Sequence, residues 1–134
     1  MEEKRMNKKE LLELIKSIKI DKEEFIVLSS GALVLRGIMD SAGDLDILVT
    51  QKGFEQLKEN YDLKEKKECN NSYIVNEKIE CILNDNEDRK EKMGDYYIQD
   101  INQYLEFLKE SNREKDKLRI PIVEKYIEDR KNEE

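Results

Sequence analysis

Ser29-Ser30-Gly31-Ala32-Leu33-Val34-Leu35-Arg36-Gly37, followed seven residues later by Asp44-Leu45-Asp46-Ile47-Leu48-Val49, is the stretch that decides the fold. A short apolar run, Phe25 to Leu28, precedes the serines and reads as a strand. The serines and glycine lie between that strand and an apolar helical run, so either serine is a candidate cap for the helix N-terminus. Gly37 falls where such a helix would end. After a polar loop over 38–43, Asp44 to Val49 reads as a second strand.

The strand period makes this second strand informative. Leu45, Ile47 and Val49 share one face and supply core, while Asp44 and Asp46 leave together from the other. Two adjacent carboxylates on an apolar strand repel one another and resist desolvation. A divalent cation between them removes that conflict, and Mg2+ (or Mn2+) prefers oxygen ligands from one or two carboxylates plus substrate phosphates. Glu80 lies inside a further apolar run, Ile79-Glu80-Cys81-Ile82-Leu83. If that run is the neighbouring strand, Glu80 completes a three-carboxylate cluster fit for two metal ions and an in-line displacement on phosphate. Glu80 is then a metal ligand or the base toward an incoming hydroxyl. The turn at Ser29, Ser30 and Gly31 offers backbone N–H groups and hydroxyls to a phosphate.

The rest of the chain reads outward from this centre. Residues 7 to 19 are an amphipathic helix through Leu11, Leu14, Ile15 and Ile18. Gly53 to Glu59 is a short helix, and residues 60 to 70 are an outer strand and a turn. Tyr73 to Val75 and Ile79 to Leu83 form a hairpin about Asn76-Glu77-Lys78. Residues 84 to 92 read as loop, Asp100 to Leu108 as a helix, and a last helix starts near Arg113 or Pro121. Pro121 belongs in a first turn or at a kink. The expectation is one α/β (α+β) domain over 1–134, with a core over about 24–83 and a C-terminal helical part over about 98–130.

Composition narrows the chemistry. The chain of 134 residues has no histidine, which excludes Ser/His/Asp and Cys/His nucleophilic sites and histidine-ligated metals. Cys69 and Cys81 have no zinc-knuckle or disulfide-framework spacing, and Cys81 reads as a buried apolar side chain. The formal net charge of −7 argues against a long nucleic acid and suits a small ligand delivered with divalent cations. No apolar stretch suits a signal peptide or membrane span, so a cytoplasmic protein with no membrane partner is expected.

Ser30-Gly31-Ala32-Leu33-Val34-Leu35, then Gly37, then Asp44-Leu45-Asp46-Ile47 resembles the signature of the DNA polymerase beta-like nucleotidyltransferase superfamily. The likeness is nearest its small bacterial members related to abortive-infection toxins and to aminoglycoside or lincosamide nucleotidyltransferases. It implies a mixed β-sheet flanked by helices and Mg2+-dependent transfer of a nucleoside monophosphate from a nucleoside triphosphate such as ATP to an acceptor hydroxyl. The acceptor class stays open among small molecules, RNA and protein. By position Asp44 and Asp46 match the paired metal ligands, Glu80 the third acid, and Ser30 and Gly31 the phosphate-binding turn, whose first glycine is a serine here. Ser41 resembles a hydroxyl residue of the preceding loop, and Arg113-x-Lys115-Asp116 resembles a segment whose lysine lies near the nucleotide.

Plainer readings compete at each position. Asp44 and Asp46 also suit a polar strand edge, Glu80 an outward-facing strand residue, and Lys115 and Arg113 a solvated helix face. Tyr96 and Tyr97 suit either a base-lining pocket or the core. The alternative function is a non-catalytic nucleotide-sensing or protein-interaction module, a toxin–antitoxin or defence partner on the same scaffold. A homodimer or partner protein would then supply a missing wall.

Overall fold

The computed structural model describes residues 5–66, 71–84, 90–111 and 113–133. Cys69 and most of the segment read as loop over 84–92 lie outside the described residues. Seven strands form one mixed sheet: β1 (Phe25–Leu28), β2 (Leu45–Val49), β3 (Lys64–Glu65), β4 (Ser72–Ile74), β5 (Ile79–Leu83), β6 (Lys90–Met93) and β7 (Tyr96–Gln99), in the order β3-β4-β5-β2-β1-β7-β6. β2 runs parallel to β5, and β1 parallel to β7; the other neighbours are antiparallel. Five helices accompany it: α1 (Lys8–Ser17), α2 (Ser29–Leu35), α3 (Gln51–Asn60), α4 (Ile101–Glu110) and α5 (Glu114–Glu133). The expected mixed α/β class is thus observed.

Local chemistry sets the element boundaries. Asn7 accepts from the Glu10 N–H at 2.9 Å while Glu10 reaches back to the Asn7 N–H at 3.2 Å, a capping box that starts α1. Leu11 and Ile15 of α1 then bury against the sheet-side core. The α3 N-cap is Thr50, whose hydroxyl accepts from the Gly53 N–H at 3.0 Å. At α2 the serines are not caps: the N-cap position is Leu28, with no side-chain cap bond, and the helix begins at Ser29 itself. Gly37, at φ +83°, ends the unit as expected.

Gly53 marks a close approach that yields a test. A Cβ there would lie 2.8 Å from the Glu24 carbonyl oxygen and 2.9 Å from Ile20 Cδ1. That carbonyl is itself fixed, accepting from the Thr50 N–H at 3.1 Å. Helix propensity favours alanine over glycine by about 1 kcal/mol, but overpacking costs about 1–3 kcal/mol. Gly53→Ala is therefore expected to destabilise the protein by about 1–2 kcal/mol, read as a lower urea midpoint at constant m-value. An unchanged or raised midpoint would contradict this packing account.

Two features depart from the sequence reading. The sheet does not stop at residue 83: β6 and β7 form a hairpin, and β7 inserts beside β1. Tyr96 accordingly belongs to the core and Tyr97 to a strand interior next to Ile26. Of the two expected starts of the last helix, the one near Arg113 is observed: α5 begins at Glu114 and carries Pro121 in its interior, not in its first turn. The lost backbone donor is offset by packing: Val123 is buried with Leu33, Ile101, Tyr104 and Leu108 in a second core that joins α4 and α5 to α2. Among the described residues no helix is long and apolar enough to cross a membrane.

Candidate metal centre

Register places the acids. Asp46 of β2 is paired with Glu80 of the parallel strand β5, and on its other side with Leu28, the last residue of β1. Directly paired residues share a sheet face, so Asp46 and Glu80 emerge side by side, opposite the face where Leu45, Ile47 and Cys81 are buried. Asp44 precedes β2 by one residue and joins them. One carboxylate oxygen from each of Asp44, Asp46 and Glu80 lies within 4.8 Å of the other two, and all three residues are half-buried.

The electrostatics show crowding. The Asp46 carboxyl is pushed up to about 7, first by burial, then by the charges of Asp44 and Glu80 and a hydrogen bond with Glu80; Lys66 partly opposes this. Where no multivalent cation is bound, this crowding favours a proton on Asp46. Lys66 Nζ lies 2.9 Å from Glu80 Oε1. A set of three carboxylates is a hard-oxygen donor set, suited to Mg2+, Mn2+ or Ca2+ and not to soft metals.

Asp46 and Glu80 border an open groove of about 690 Å³. Asp46, Glu80 and Lys66 form one side, while Phe107 and Ser111 at the end of α4, and Arg113 beyond it, line it as well. Ile82 and Phe107, 36% and 45% exposed, give the groove an apolar stretch. Phe107 escapes sequence reading because one more apolar residue on a helix that already carries an apolar stripe reads as part of the core. Its signal is that the period closes without it: Ile101, Tyr104 and Leu108 already complete the buried stripe.

The remaining expected site residues separate. Ser29 and Ser30 follow Leu28, so the turn borders Asp46 by strand register. Ser29 adopts φ +53°, a left-handed conformation that suits glycine, and its N–H donates to Gln99 Oε1 at 3.4 Å. Gly31 packs closely on the core: a Cβ there would meet Val27 Cγ1 at 3.3 Å and Leu45 Cδ1 at 3.4 Å, contacts that a small shift of those methyls would relieve. Ser41 is drawn elsewhere, its hydroxyl and carbonyl accepting from Arg5 at 2.9 and 2.8 Å. Lys115 is exposed on α5 and is not among the groove's lining residues. The structure thus gathers Asp44, Asp46 and Glu80 and starts α2 next to Asp46 by register, but it turns Gly31 to the buried face against Val27 and Leu45 and brings none of Ser29, Ser30, Gly31, Ser41 and Lys115 into the lining of the groove. Comparison with known protein families, curated proteins and solved structures finds no match to this chain.

Proposed function

We propose that this chain is a Mg2+-dependent nucleotidyltransferase that moves a nucleoside monophosphate from a nucleoside triphosphate to an acceptor hydroxyl. One observation carries the reading: the carboxylates of Asp46 on β2, Glu80 on β5 and Asp44 just before β2 converge within 4.8 Å, and Asp46 and Glu80 line an open groove. Asp44 and Asp46 would hold the ion or ions through oxygen, and Glu80 would either join them or accept the proton of the acceptor hydroxyl. Bound Mg2+ supplies Lewis-acid stabilisation of the phosphate oxygens. The new bond joins the acceptor oxygen to the α-phosphorus, the α–β bridging bond breaks, pyrophosphate leaves, and the acceptor proton passes to Glu80 or solvent. Ile82 and Phe107 offer apolar surface to the nucleoside or the acceptor.

The test is melting temperature with ATP, GTP, CTP and UTP, each with and without Mg2+. A ligand that binds only the folded state raises the melting temperature by mass action. The wild type is expected to shift with at least one nucleotide only when Mg2+ is present, and Asp44→Asn/Asp46→Asn to show no shift. A shift that survives in the double variant, or no shift with any nucleotide, would overturn the reading.

A further inference from the structure

Asp116 is the one charged residue among those described that is fully buried, at 0% exposure. Its Oδ2 accepts from Ser111 Oγ at 2.6 Å and from Arg113 Nε at 2.7 Å, and its Oδ1 is buried without a partner. The Ser111 hydroxyl also accepts from the Arg113 N–H at 3.2 Å. Burial alone would raise the Asp116 carboxyl, but the bonds from Ser111 and Arg113 and the charges of Arg113 and Arg119 hold it below its ordinary value, so it is ionised.

An ion pair formed only for stability needs no such burial. An exposed pair contributes little, and desolvating a carboxylate costs much more than such a pair returns. What the arrangement does achieve is orientation. Arg113 is itself largely exposed, with its side chain 57% accessible, yet its Nε is fixed by a rigid partner. Among the described residues its two terminal nitrogens engage no protein group, so their N–H donors stay available to the groove that Arg113 shares with Asp46 and Glu80. Guanidinium groups held in this way match phosphate oxygens two at a time.

We propose that Arg113 is the groove's polyphosphate clamp and that Asp116 and Ser111 are positioning residues that aim it. The proposal rests on the nucleotide reading above and deepens it: Arg113, and not the exposed Lys115, meets the charge of the phosphate chain. The carboxylate side holds metal, and the α4–α5 turn holds phosphate oxygens.

Inorganic tripolyphosphate, titrated by calorimetry into Mn2+-loaded protein, is the probe. Arg113→Gln is expected to weaken its binding roughly tenfold to hundredfold, the range of a charge-assisted hydrogen-bonded contact. Arg113→Lys should recover only part of that loss, and Lys115→Gln should change it by less than about twofold. Mn2+ affinity should stay unchanged in all three variants. Asp116→Asn should weaken tripolyphosphate in the wild-type background and have no further effect in Arg113→Gln, the mark of a residue acting through another. If Asp116→Asn does not fold, Ser111→Ala carries the positioning half of the test: it should weaken tripolyphosphate in the wild-type background and have no further effect in Arg113→Gln. Equal tripolyphosphate affinity in the wild type and Arg113→Gln, with Mn2+ still bound, would overturn the clamp while leaving the metal centre standing. Equal losses from Asp116→Asn in both backgrounds would reduce Asp116 to a staple of the turn. Absence of Mn2+ binding would overturn the parent reading, and the clamp with it.

Discussion

Asp46→Asn is expected to stabilise the metal-free protein at pH 8 by about 2 kcal/mol and to flatten its pH dependence. The sign follows from where the proton is held. In the folded chain the Asp46 carboxyl titrates at about 7, against an ordinary 3.8. Between those values the folded state binds more protons than the unfolded one, so stability falls as pH rises through the interval. Moving a carboxyl that far corresponds to about 4 kcal/mol. Roughly half of that is retained here, because Asp46 is only partly buried and Lys66 offsets some of the repulsion. Asparagine keeps the shape and removes the charge. Urea unfolding at pH 5 and pH 8 in EDTA is the measurement. The wild type should lose stability toward pH 8 and the variant should not. A wild type equally stable at both values would mean that the acids are well solvated, and would remove the case that they need a cation.

Glu91→Ala is expected to cost about 2–3 kcal/mol, although Glu91 stands on the edge strand β6 with a partly exposed side chain. The reason lies in its partner. The Arg36 side chain is 1% exposed; it reaches Glu91 Oε2 at 2.7 Å, the Gln99 carbonyl at 3.0 Å and the Tyr126 hydroxyl at 3.5 Å, while its Nε is buried with no partner. Removing Glu91 leaves a buried guanidinium without its counter-ion, which is far worse than losing an exposed pair. Arg36→Met in the same chain should return much of the loss, because it removes the stranded charge. The pair also has a pH signature. Burial pushes the Glu91 carboxyl up, but the hydrogen bond and charge of Arg36, helped by Arg130, hold it below the ordinary 4.5. Its contribution is therefore present above that ordinary value and is lost as pH falls through the lowered one. A change in urea midpoint worth less than about 0.5 kcal/mol would show that water replaces the carboxylate, and that Arg36 is not a buried charge in solution.

The legible parts of the sequence are those where a single period runs without interruption. The apolar runs Phe25–Leu28 and Leu45–Val49 form β1 and β2, and the acid inside Ile79–Leu83 is the register partner of Asp46. In Leu45–Val49 and Ile79–Leu83 an acid stands inside an otherwise apolar run, and register then sets Asp46 and Glu80 on one face. The β6–β7 hairpin is hidden for the opposite reason. Lys90-Glu91-Lys92-Met93 lies at the sheet edge, where charged side chains are tolerated, so it carries little apolar signal. Its legible sign is Gly94-Asp95, a two-residue turn between Met93 and Tyr96, with Gly94 at φ +63°. Asp116 is hidden by its surroundings: Arg113-Glu114-Lys115-Asp116 resembles any solvated helix start, and only the meeting of α4 and α5 buries one of the four. Ser41 and Lys115 rest on resemblance alone, without a period or register to hold them.

The central claim is that Asp44, Asp46 and Glu80 together hold a divalent ion. Its most direct test is Mn2+ binding at pH 8, followed by loss of the free-ion electron paramagnetic resonance signal, in the wild type and in Asp44→Asn, Asp46→Asn and Glu80→Gln. The expected result is saturable Mn2+ binding to the wild type, displaced by excess Mg2+ and weakened at least about tenfold by each substitution. Binding that is absent in the wild type, or that survives all three substitutions, would contradict it.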